Sequence, residues 1–534
     1  MKKVFYLVAA SLLMSSCLKD RAFEAYNEEF VSVFGETDPL HTWKMVENQS
    51  VEVNVEKPSR VKIYVKVDDT YRLAADYENV SGTRTLAFDA PMGCEDIHVT
   101  VDGAPIYGAN SRAESRADVS PVTKTNEFKN FTYGQITTFH NDGQTLPESK
   151  DNTSRLTSTG CRIISNGELY KFYPIYWGGI FYHTYGLYYY DANKVRHEFD
   201  FYDHKVTDCL QYKDADGAWQ NLTADYAYDY FFPKSGSAPT YGEKEVVLKS
   251  RCYTINLPEG TEFGFYVDII HKKDDGTLSD RGRFYSDPEL NDVTQTNKPF
   301  SAFAYLHQNN DTQTSYVTVE DYNDNDYNDF IFLLEGQHTH VVDEPVKYMY
   351  AVEDLGSTND FDFNDIVFTV SHVKGKENAT VQPMAAGGIY PATIYFGDKS
   401  YGEIHSKFGV ETNVMVNTKA GTTKNSMIKA DPFLVKVGAE WSHTAYGNSE
   451  NGNGFSVKVE IPNRKDKVVT TYEPGEDIAP QMLVLSENWL WPTEKTRISD
   501  AYNDAYNGFG EWGANYKNQT WVNSPTSGLV VNWR

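Results

Sequence analysis

Cysteine and positive charge are both scarce in this chain. Among 534 residues there are 5 Cys, and no two of them form a Cys-x-x-Cys pair. The sequence therefore indicates neither a dense disulfide framework nor a zinc site, although one bridge among Cys161, Cys209 and Cys252 stays open. Lys and Arg total 49 against 75 Asp and Glu, and the net charge is -26. This charge argues against binding nucleic-acid phosphates and favours a surface that attracts cations.

Long apolar runs and catalytic signatures are also missing. No segment after the first seventeen residues is apolar over the length that a bilayer span requires. His-Glu-x-x-His, Gly-x-Ser-x-Gly and Walker A phrases are absent. His338 and His340 alternate, and we expect them on one strand face in solvent. Paired carboxylates for glycoside hydrolysis have no local signature, so a glycan-degrading accessory enzyme stays open as an alternative to a non-enzymatic protein.

Aromatic residues, in contrast, are abundant. They make up 14% of the chain and include 38 Tyr, a composition that favours strands over helical bundles. Apolar and polar residues alternate repeatedly, as in RVKIYVKV at residues 60–67. The length predicts two to four domains. We predict a mainly all-β fold of tandem β-sandwich or jelly-roll-like domains with few short helices.

The N-terminus resembles the signal peptide of a bacterial lipoprotein. Lys2-Lys3 precede an apolar run at residues 4–14, and small residues then lead to Cys17. The resemblance implies that Cys17 carries the lipid and that the outer membrane is the partner it binds. Leu18-Lys19-Asp20 resembles a surface-export signal, so we expect an outer membrane lipoprotein on the cell surface, while a periplasm-facing position stays open.

Composition shifts divide the remaining chain into modules. The stretch at residues 103–127 lacks periodicity and predicts a linker. A helix is compatible with residues 493–507, where Ile498, Tyr502 and Tyr506 share one side. The predicted organisation is a signal peptide at 1–17, a tether at 18–47, a small β-sandwich of four short strands at 48–103, a linker at 104–153, an aromatic-rich β domain at 154–340 and a final β domain at 344–534.

The aromatic residues of the 154–340 domain have two interpretations. Most are expected to fill the core between sheets. Trp177, followed by Gly178-Gly179 in a predicted loop, is a candidate for stacking on a sugar ring, because flat apolar sugar faces pack on aromatic rings.

One acidic phrase occurs twice and carries the strongest functional signal. It reads DNDYNDFIF at 324–332 and DFDFNDIVF at 360–368, and each copy follows an acidic pair that ends an alternating apolar run. The pattern predicts strand, acidic loop, strand in both places. The candidate ligands of a metal ion are Glu320, Asp321, Asp324, Asp326, Asn328 and Asp329 in the first copy, and Glu353, Asp354, Asp360, Asp362, Asn364 and Asp365 in the second.

Calcium is the expected metal at both loops. Neighbouring carboxylates repel one another unless a cation or a proton relieves them, and calcium takes six to eight oxygen ligands. The EF-hand is excluded, because its sixth position requires Gly where this chain has Asp329 and Asp365. The alternative is a solvated turn, rich in Asp and Asn, that caps two strands.

The same residues carry a family resemblance. The two phrases, with FYSDPELN at 284–291, resemble a calcium-site-bearing β domain of unknown function in bacterial surface proteins. Residues 348–534 resemble the LruC-type domain of Bacteroidetes and leptospiral lipoproteins. The matching pieces there are DFDFNDIVF, AAGG at 385–388, FGVETNVMVNT at 408–418 and WPTEKTRISDAY at 491–502.

Together these observations predict a surface-anchored, calcium-stabilised, non-enzymatic β lipoprotein that binds a glycan or protein ligand or serves adhesion. A fimbrial or surface-assembly subunit is a further alternative, since Arg112 and Arg116 offer cleavage points in the linker.

Overall fold

A computed structural model gives the fold of most of the chain. It describes residues 25–68, 70–106, 120–132, 134–136, 158–159, 162–177, 181–203, 208–223, 246–273, 275–291, 304–308, 314–319, 329–354, 360–447, 453–462, 467–469, 479–499 and 504–534.

Strands dominate, so the predicted all-β class is confirmed. In chain order they are β1 (Val46–Val67), β2 (Thr70–Pro91), β3 (Ile97–Val101), β4 (Ala104–Pro105), β5 (Val122–Thr132), β6 (Ser158–Thr159), β7 (Arg162–Ser165), β8 (Leu169–Trp177), β9 (Tyr182–Tyr190), β10 (Arg196–Asp203), β11 (Leu210–Lys213), β12 (Trp219–Asn221), β13 (Val246–Asn256), β14 (Glu262–Lys272), β15 (Leu278–Tyr285), β16 (Ala304–Gln308), β17 (Thr314–Val319), β18 (Phe330–Glu335), β19 (His338–Pro345), β20 (Lys347–Val352), β21 (Ile366–Ser371), β22 (Asn378–Ala385), β23 (Ala392–Phe396), β24 (Lys399–Glu403), β25 (Phe433–Lys436), β26 (Phe455–Val459), β27 (Lys467–Val469) and β28 (Met482–Ser486).

The helices are short. They are α1 (residues 25–34), α2 (Ile404–Lys407), α3 (Phe509–Ala514) and two 3-10 turns at Pro288–Leu290 and Thr520–Asn523, and residues 134–136 are also helical. Within the described part of the chain, no helix is long and apolar enough to cross a bilayer.

The chain forms two compact units. The first unit consists of Met1–Pro58, Ala74–Glu95 and Pro345–Arg534, and the second of Ser59–Leu73 and Asp96–Glu344. The segment expected to form a small sandwich at 48–103 is therefore divided between the two units.

The second unit is a β-sandwich. One sheet has the order β10-β9-β14-β7-β19-β2-β1-β3-β4, with β15 beside β14, and the other has β12-β11-β13-β8-β18-β17-β16-β6, with β5 beside β13. Aromatic side chains join the two layers: Phe265 on β14 lies 5.1 Å from Phe332 on β18, and Tyr185 on β9 stacks on Phe330 at 4.1 Å between ring centroids. The expectation that most of these aromatics form the core agrees with their burial.

The first unit has three layers. A five-stranded sheet, β25-β22-β21-β20-β28, packs one face on a four-stranded sheet, β24-β23-β26-β27, through contacts such as Tyr350 to Phe455 at 5.5 Å. Its other face contacts a core to which α1 and the C-terminal residues contribute, including Phe30, Trp491 and Trp512.

Several local predictions are wrong. Residues 25–46 are not a free tether, because Tyr26, Phe30 and Trp43 are buried in the core of the first unit. The predicted linker at 104–153 contains β5, which pairs with β13.

Two further predictions also fail, in both cases because tertiary packing overrides local propensity. Three of the four short strands predicted there are parts of two 22-residue strands, β1 and β2, which contain Pro58 and Gly82. The fourth, at 96–101, is confirmed as β3. The described residues among 493–507 are turns and irregular backbone, not a helix.

Candidate metal centre

The second acidic phrase lies between two paired strands, as predicted. Antiparallel strands β20 and β21 end on the pair Val352 and Ile366. Glu353 and Asp354 continue directly from β20, and Asp365 directly precedes β21. Backbone pairing of the two strands therefore fixes the positions of both ends of the acidic loop.

Alternation within DFDFND separates its two kinds of side chain. Phe361 and Phe363 both have φ of 51°, a left-handed conformation that costs energy in a residue other than glycine. Both rings are fully buried in the aromatic core, where Phe361 contacts Tyr26 at 5.2 Å and Phe363 contacts Phe509 at 6.1 Å. Burial of these rings offsets the strain and leaves the acidic residues between them to form a separate cluster.

Three carboxylates of the loop converge. One oxygen from each of Glu353, Asp360 and Asp362 lies within 4.8 Å of the others. Glu353 is 0% exposed and Asp362 is 2% exposed, while Asp360 is half-buried. Charges of like sign at such distances, with little water between them, repel strongly.

Two buried oxygens of the loop lack a partner among the described residues. They are Oε1 of Glu353 and Oδ1 of Asn364, both on side chains that are 0% exposed. The other Glu353 oxygen, Oε2, accepts only a long hydrogen bond of 3.4 Å from the Phe363 amide. Buried acceptors without donors are costly, so these atoms point to a ligand that supplies positive charge.

Burial and mutual repulsion disturb the titration of the whole cluster. Burial, followed by the charge of Asp365, raises the pKa of Glu353 well above its ordinary 4.5. Burial and Asp360 likewise raise the pKa of Asp362 well above 3.8. The pKa of Asp360 is also raised by burial, although Lys495 and Arg497 oppose the shift. The cluster therefore favours either protons or a bound cation.

A pair of glycines forms one wall of the loop. The amide of Gly387 donates to the carbonyl of Asp365 at 2.9 Å, and that of Gly388 donates to the same oxygen at 3.2 Å. A Cβ on Gly387 would lie 2.2 Å from Oδ1 of Asn364, and one on Gly388 would lie 2.9 Å from Oδ2 of Asp354. Only glycine leaves room for the oxygens at these two positions.

The C-terminal segment forms a second wall. The amide of Lys495 donates to Oδ2 of Asp362 at 2.9 Å, and Nδ2 of Asn364 donates to the carbonyl of Pro492 at 3.1 Å. The amide of Ile498 also donates to the carbonyl of Phe361 at 2.9 Å. Each bond orients a different residue of the acidic phrase.

Residues 416–418 connect the two walls. Val416 and Ala386 exchange two backbone hydrogen bonds of 2.7 and 3.1 Å, and Glu494 donates to the carbonyl of Thr418 at 2.8 Å. The four pieces on which the LruC-type resemblance rests therefore meet around one acidic loop. Sequence reasoning named those pieces but did not include Gly387, Gly388 or the 492–498 backbone among site residues.

The donor set fits calcium. Carboxylate oxygens from Glu353, Asp360 and Asp362 converge directly, and the amide of Asp354 donates to Oδ2 of Asp365 at 2.7 Å, which places that carboxylate beside the loop entrance. All these ligands are hard oxygens, and no sulfur or imidazole from the described residues joins the cluster. Such a set matches calcium or magnesium better than zinc or copper.

An acid of the second unit shows how protein cations can compensate a carboxylate. Asp343 accepts from Arg162 at 2.8 Å and from Lys62 at 3.0 Å, and these charges lower the pKa of Asp343 to about 2 although desolvation opposes the shift. In the described residues no such ion pair reaches Glu353 or Asp362. Among the described side chains, Glu353 and Asp362 therefore lack the ion-pair partners that Asp343 has, and a bound cation would supply that charge.

The remaining predicted site residues have varied placements. In the first phrase, Asp329 is buried directly before β18, whose pairing with β17 confirms the strand–loop–strand prediction, while Glu320, Asp321, Asp324, Asp326 and Asn328 lie outside the described residues. Cys17 also lies outside them. Trp177 is not in a loop: it is the last residue of β8 and is 4% exposed, so its ring is core and does not face a sugar.

The expected solvent exposure of two histidines is wrong. His338 and His340 are both buried, with ring centroids 4.5 Å apart, and Nε2 of His338 lies 2.9 Å from the Ser315 hydroxyl. Cys209 and Cys252 are free thiols, and Cys161 is outside the described residues.

A scan against protein-family models and a search of curated proteins each found no match to this chain.

Proposed function

We propose that this chain is a lipid-anchored, non-enzymatic β protein of the cell surface, in which calcium bound by the second acidic phrase holds the first unit together. The bound ion joins the β20–β21 loop to the segments that surround it. The unit then presents a rigid surface for adhesion or for a glycan or protein ligand.

The observation that carries the proposal is the fully buried Glu353. Its Oε1 has no hydrogen-bond partner among the described residues, and its carboxylate lies within 4.8 Å of those of Asp360 and Asp362. An uncompensated buried charge is strongly unfavourable. A divalent cation would satisfy the orphaned oxygen and cancel the repulsion in one step.

The sequence supports the remaining parts of the proposal. Cys17 follows a lipoprotein-type signal, and the acidic composition favours an extracellular setting rich in divalent cations. The sequence contains no His-Glu-x-x-His, Gly-x-Ser-x-Gly or Walker A phrase. Adhesion or ligand binding is the role that such an anchored, rigid β module would serve.

Calorimetry of the full-length protein tests the calcium site. We expect a higher melting temperature in calcium than in chelator, because a ligand at a hundredfold its dissociation constant stabilises the folded state by about 2.7 kcal/mol. In the Asp362→Asn variant this difference should shrink, since Asp362 lies at the centre of the cluster. Identical wild-type melting curves in the two buffers would refute the proposal.

A matched control separates ligation from general damage. Asp76, in the same unit, is buried but paired with Lys376 at 2.9 Å. Asp76→Asn should therefore destabilise the unit equally in calcium and in chelator.

A further inference from the structure

His405 is buried between two acceptors. It lies in α2, is 0% exposed, and places Nδ1 at 2.6 Å from Oε1 of Glu403 and Nε2 at 2.9 Å from the carbonyl oxygen of Gly388. Neither Glu403 nor Gly388 belongs to the acidic phrase. Both fix the imidazole in one orientation.

Glu403 is in turn anchored as a carboxylate. Its Oε2 accepts from the amide and the hydroxyl of Ser406 at 2.8 and 3.0 Å. Burial raises the pKa of Glu403, but the hydrogen bonds from His405 and Ser406 outweigh burial and hold that pKa at about 2. An ionised Glu403 and a backbone carbonyl are both acceptors, and His405 places one ring nitrogen against each of them.

The far end of this chain of contacts is the glycine wall of the metal centre. The carbonyl that His405 contacts belongs to Gly388, and the amide of the same residue donates to the backbone carbonyl of Asp365. The Gly388 backbone also lies against the Asp354 carboxylate, so closely that an added Cβ would come within 2.9 Å of Oδ2. A shift of the Gly388 backbone would therefore disturb its contacts with the Asp354 carboxylate and with the Asp365 backbone carbonyl.

We propose that His405 is a positioning residue of the calcium site, which holds the Gly387–Gly388 wall against Asp354 and Asp365 through the Gly388 carbonyl. The inference rests on the proposed calcium site and adds to it a residue that contacts no ligand. Groups that orient a metal's ligands from behind typically change its affinity by about 10- to 100-fold when they are removed.

Hydrogen-exchange mass spectrometry of the full-length protein gives a readout confined to this site. Protection of the peptide that covers β20, the acidic phrase and β21 is followed as calcium is titrated into chelator-treated protein. We expect His405→Leu to move the midpoint to roughly 10- to 100-fold higher calcium. His405→Gln keeps a donor for one acceptor and should give a smaller shift in the same direction.

His443→Leu is the matched control. His443 is equally buried in the same unit, and its Nδ1 lies 3.0 Å from the Tyr350 hydroxyl, on the opposite face of the five-stranded sheet from the aromatic core that holds Phe361. Its replacement should lower the melting temperature in both buffers and leave the calcium midpoint unchanged.

The outcomes separate the two proposals. A shifted midpoint for His405→Leu with an unshifted midpoint for His443→Leu supports the positioning role. A wild-type midpoint in both His405 variants overturns it and leaves the calcium site intact, as do equal shifts in the His405 and His443 variants. Absence of calcium-dependent protection in the wild type overturns the calcium site, and the role of His405 with it.

Discussion

The backbone amide of Lys495 donates a 2.9 Å hydrogen bond to Oδ2 of Asp362, although 133 residues separate the two in sequence. Asp362 is also one of the three carboxylates that converge in the acidic loop. The contact therefore links the charge state of the loop to the order of the C-terminal segment.

The first prediction concerns Glu353→Gln. In chelator, the variant should be more stable than the wild type, because an amide of the same shape removes a buried charge from a group of like charges. In calcium, it should be less stabilised than the wild type, because a charged ligand is lost. Melting temperatures of both proteins in both buffers test this reversal of sign.

Glu377→Gln is the control for that reversal. Glu377 is exposed, and its contact with Lys436 is a 3.4 Å surface pair, which contributes little to stability. Its replacement should leave the melting temperature nearly unchanged in both buffers. If Glu353→Gln destabilises the protein in chelator as well, the carboxylate is not an unpaired buried charge.

The second prediction is a pH dependence that calcium inverts. The folded-state pKa values of Glu353, Asp362 and Asp365 are raised by burial and by the charges of neighbouring carboxylates. Without metal, the folded state therefore binds more protons than the unfolded chain once the pH exceeds the ordinary pKa values of these groups, 3.8 for Asp and 4.5 for Glu. The stability of the first unit in chelator should fall as pH rises from that point toward the raised pKa values.

With calcium present the trend should reverse. Protons compete with the ion for the same oxygens, so calcium binding strengthens as pH rises and its stabilisation grows. Denaturation measured across pH 4 to 8 in calcium and in chelator checks the two slopes. Parallel slopes would contradict the assignment of the raised pKa values to a metal site.

The third prediction concerns the C-terminal segment. Pro492, Lys495 and Ile498 all make hydrogen bonds with the acidic phrase, so removal of calcium should loosen residues 486–498 before the sheets open. The buried Trp491, whose indole donates to the carbonyl of Asn417 at 2.9 Å, should then gain water contact. Tryptophan emission should shift to longer wavelength in chelator, with increased amide exchange confined to this segment. Uniform exchange across the unit would contradict the link.

Local patterns predict those parts of the molecule that depend on neighbouring residues. The alternation before Glu353 and after Asp365 predicts β20 and β21. The acidic phrase also indicates its own chemistry, because five carboxylates in thirteen residues require a counter-charge.

Non-local packing explains what the sequence does not reveal. Trp43 and helix α1 read as a tether, since nothing in their own pattern shows that a core of aromatic residues nearly five hundred positions away receives them. Gly387 and Gly388 carry no charge, so chemical reasoning omits them, and only the fold shows that a Cβ there would strike the ligands. The AAGG phrase at 385–388 is the sequence feature that points to these two glycines.

The fourth prediction concerns the anchor. Cys17→Ser should release the protein from membranes or leave it unprocessed, because the acyl chains supply the membrane affinity at roughly 0.8 kcal/mol for each buried CH₂. Fractionation of cells that express the two proteins is the measurement. A Cys17→Ser protein that still sediments with membranes would rule out lipid attachment at this residue.

The fifth prediction concerns Asp287, a buried acid of the second unit. It is 0% exposed, its Oδ1 accepts from the Glu289 amide at 3.0 Å, and its Oδ2 has no partner among the described residues. Burial raises its pKa from 3.8 to about 6, although the charge of Arg162 opposes the shift. The stability that a protonated Asp287 supports is therefore complete below pH 3.8 and is lost as pH rises through 6.

Asp287→Asn should remove this loss, because the amide keeps an oxygen for the Glu289 amide and carries no charge. Relative to the wild type, the variant should gain roughly 2 kcal/mol in unfolding free energy between pH 4 and pH 7. Asp191→Asn is the control of opposite sign. Burial raises the pKa of Asp191, but hydrogen bonds from His197 and from the Val195 and Asn193 amides outweigh it and lower that pKa below 3.8. Its replacement should therefore destabilise the unit most at neutral pH and least in acid. Denaturation of the three proteins at several pH values decides the matter, and a wild-type pH profile in Asp287→Asn would show that Asp287 is ionised in the folded state throughout.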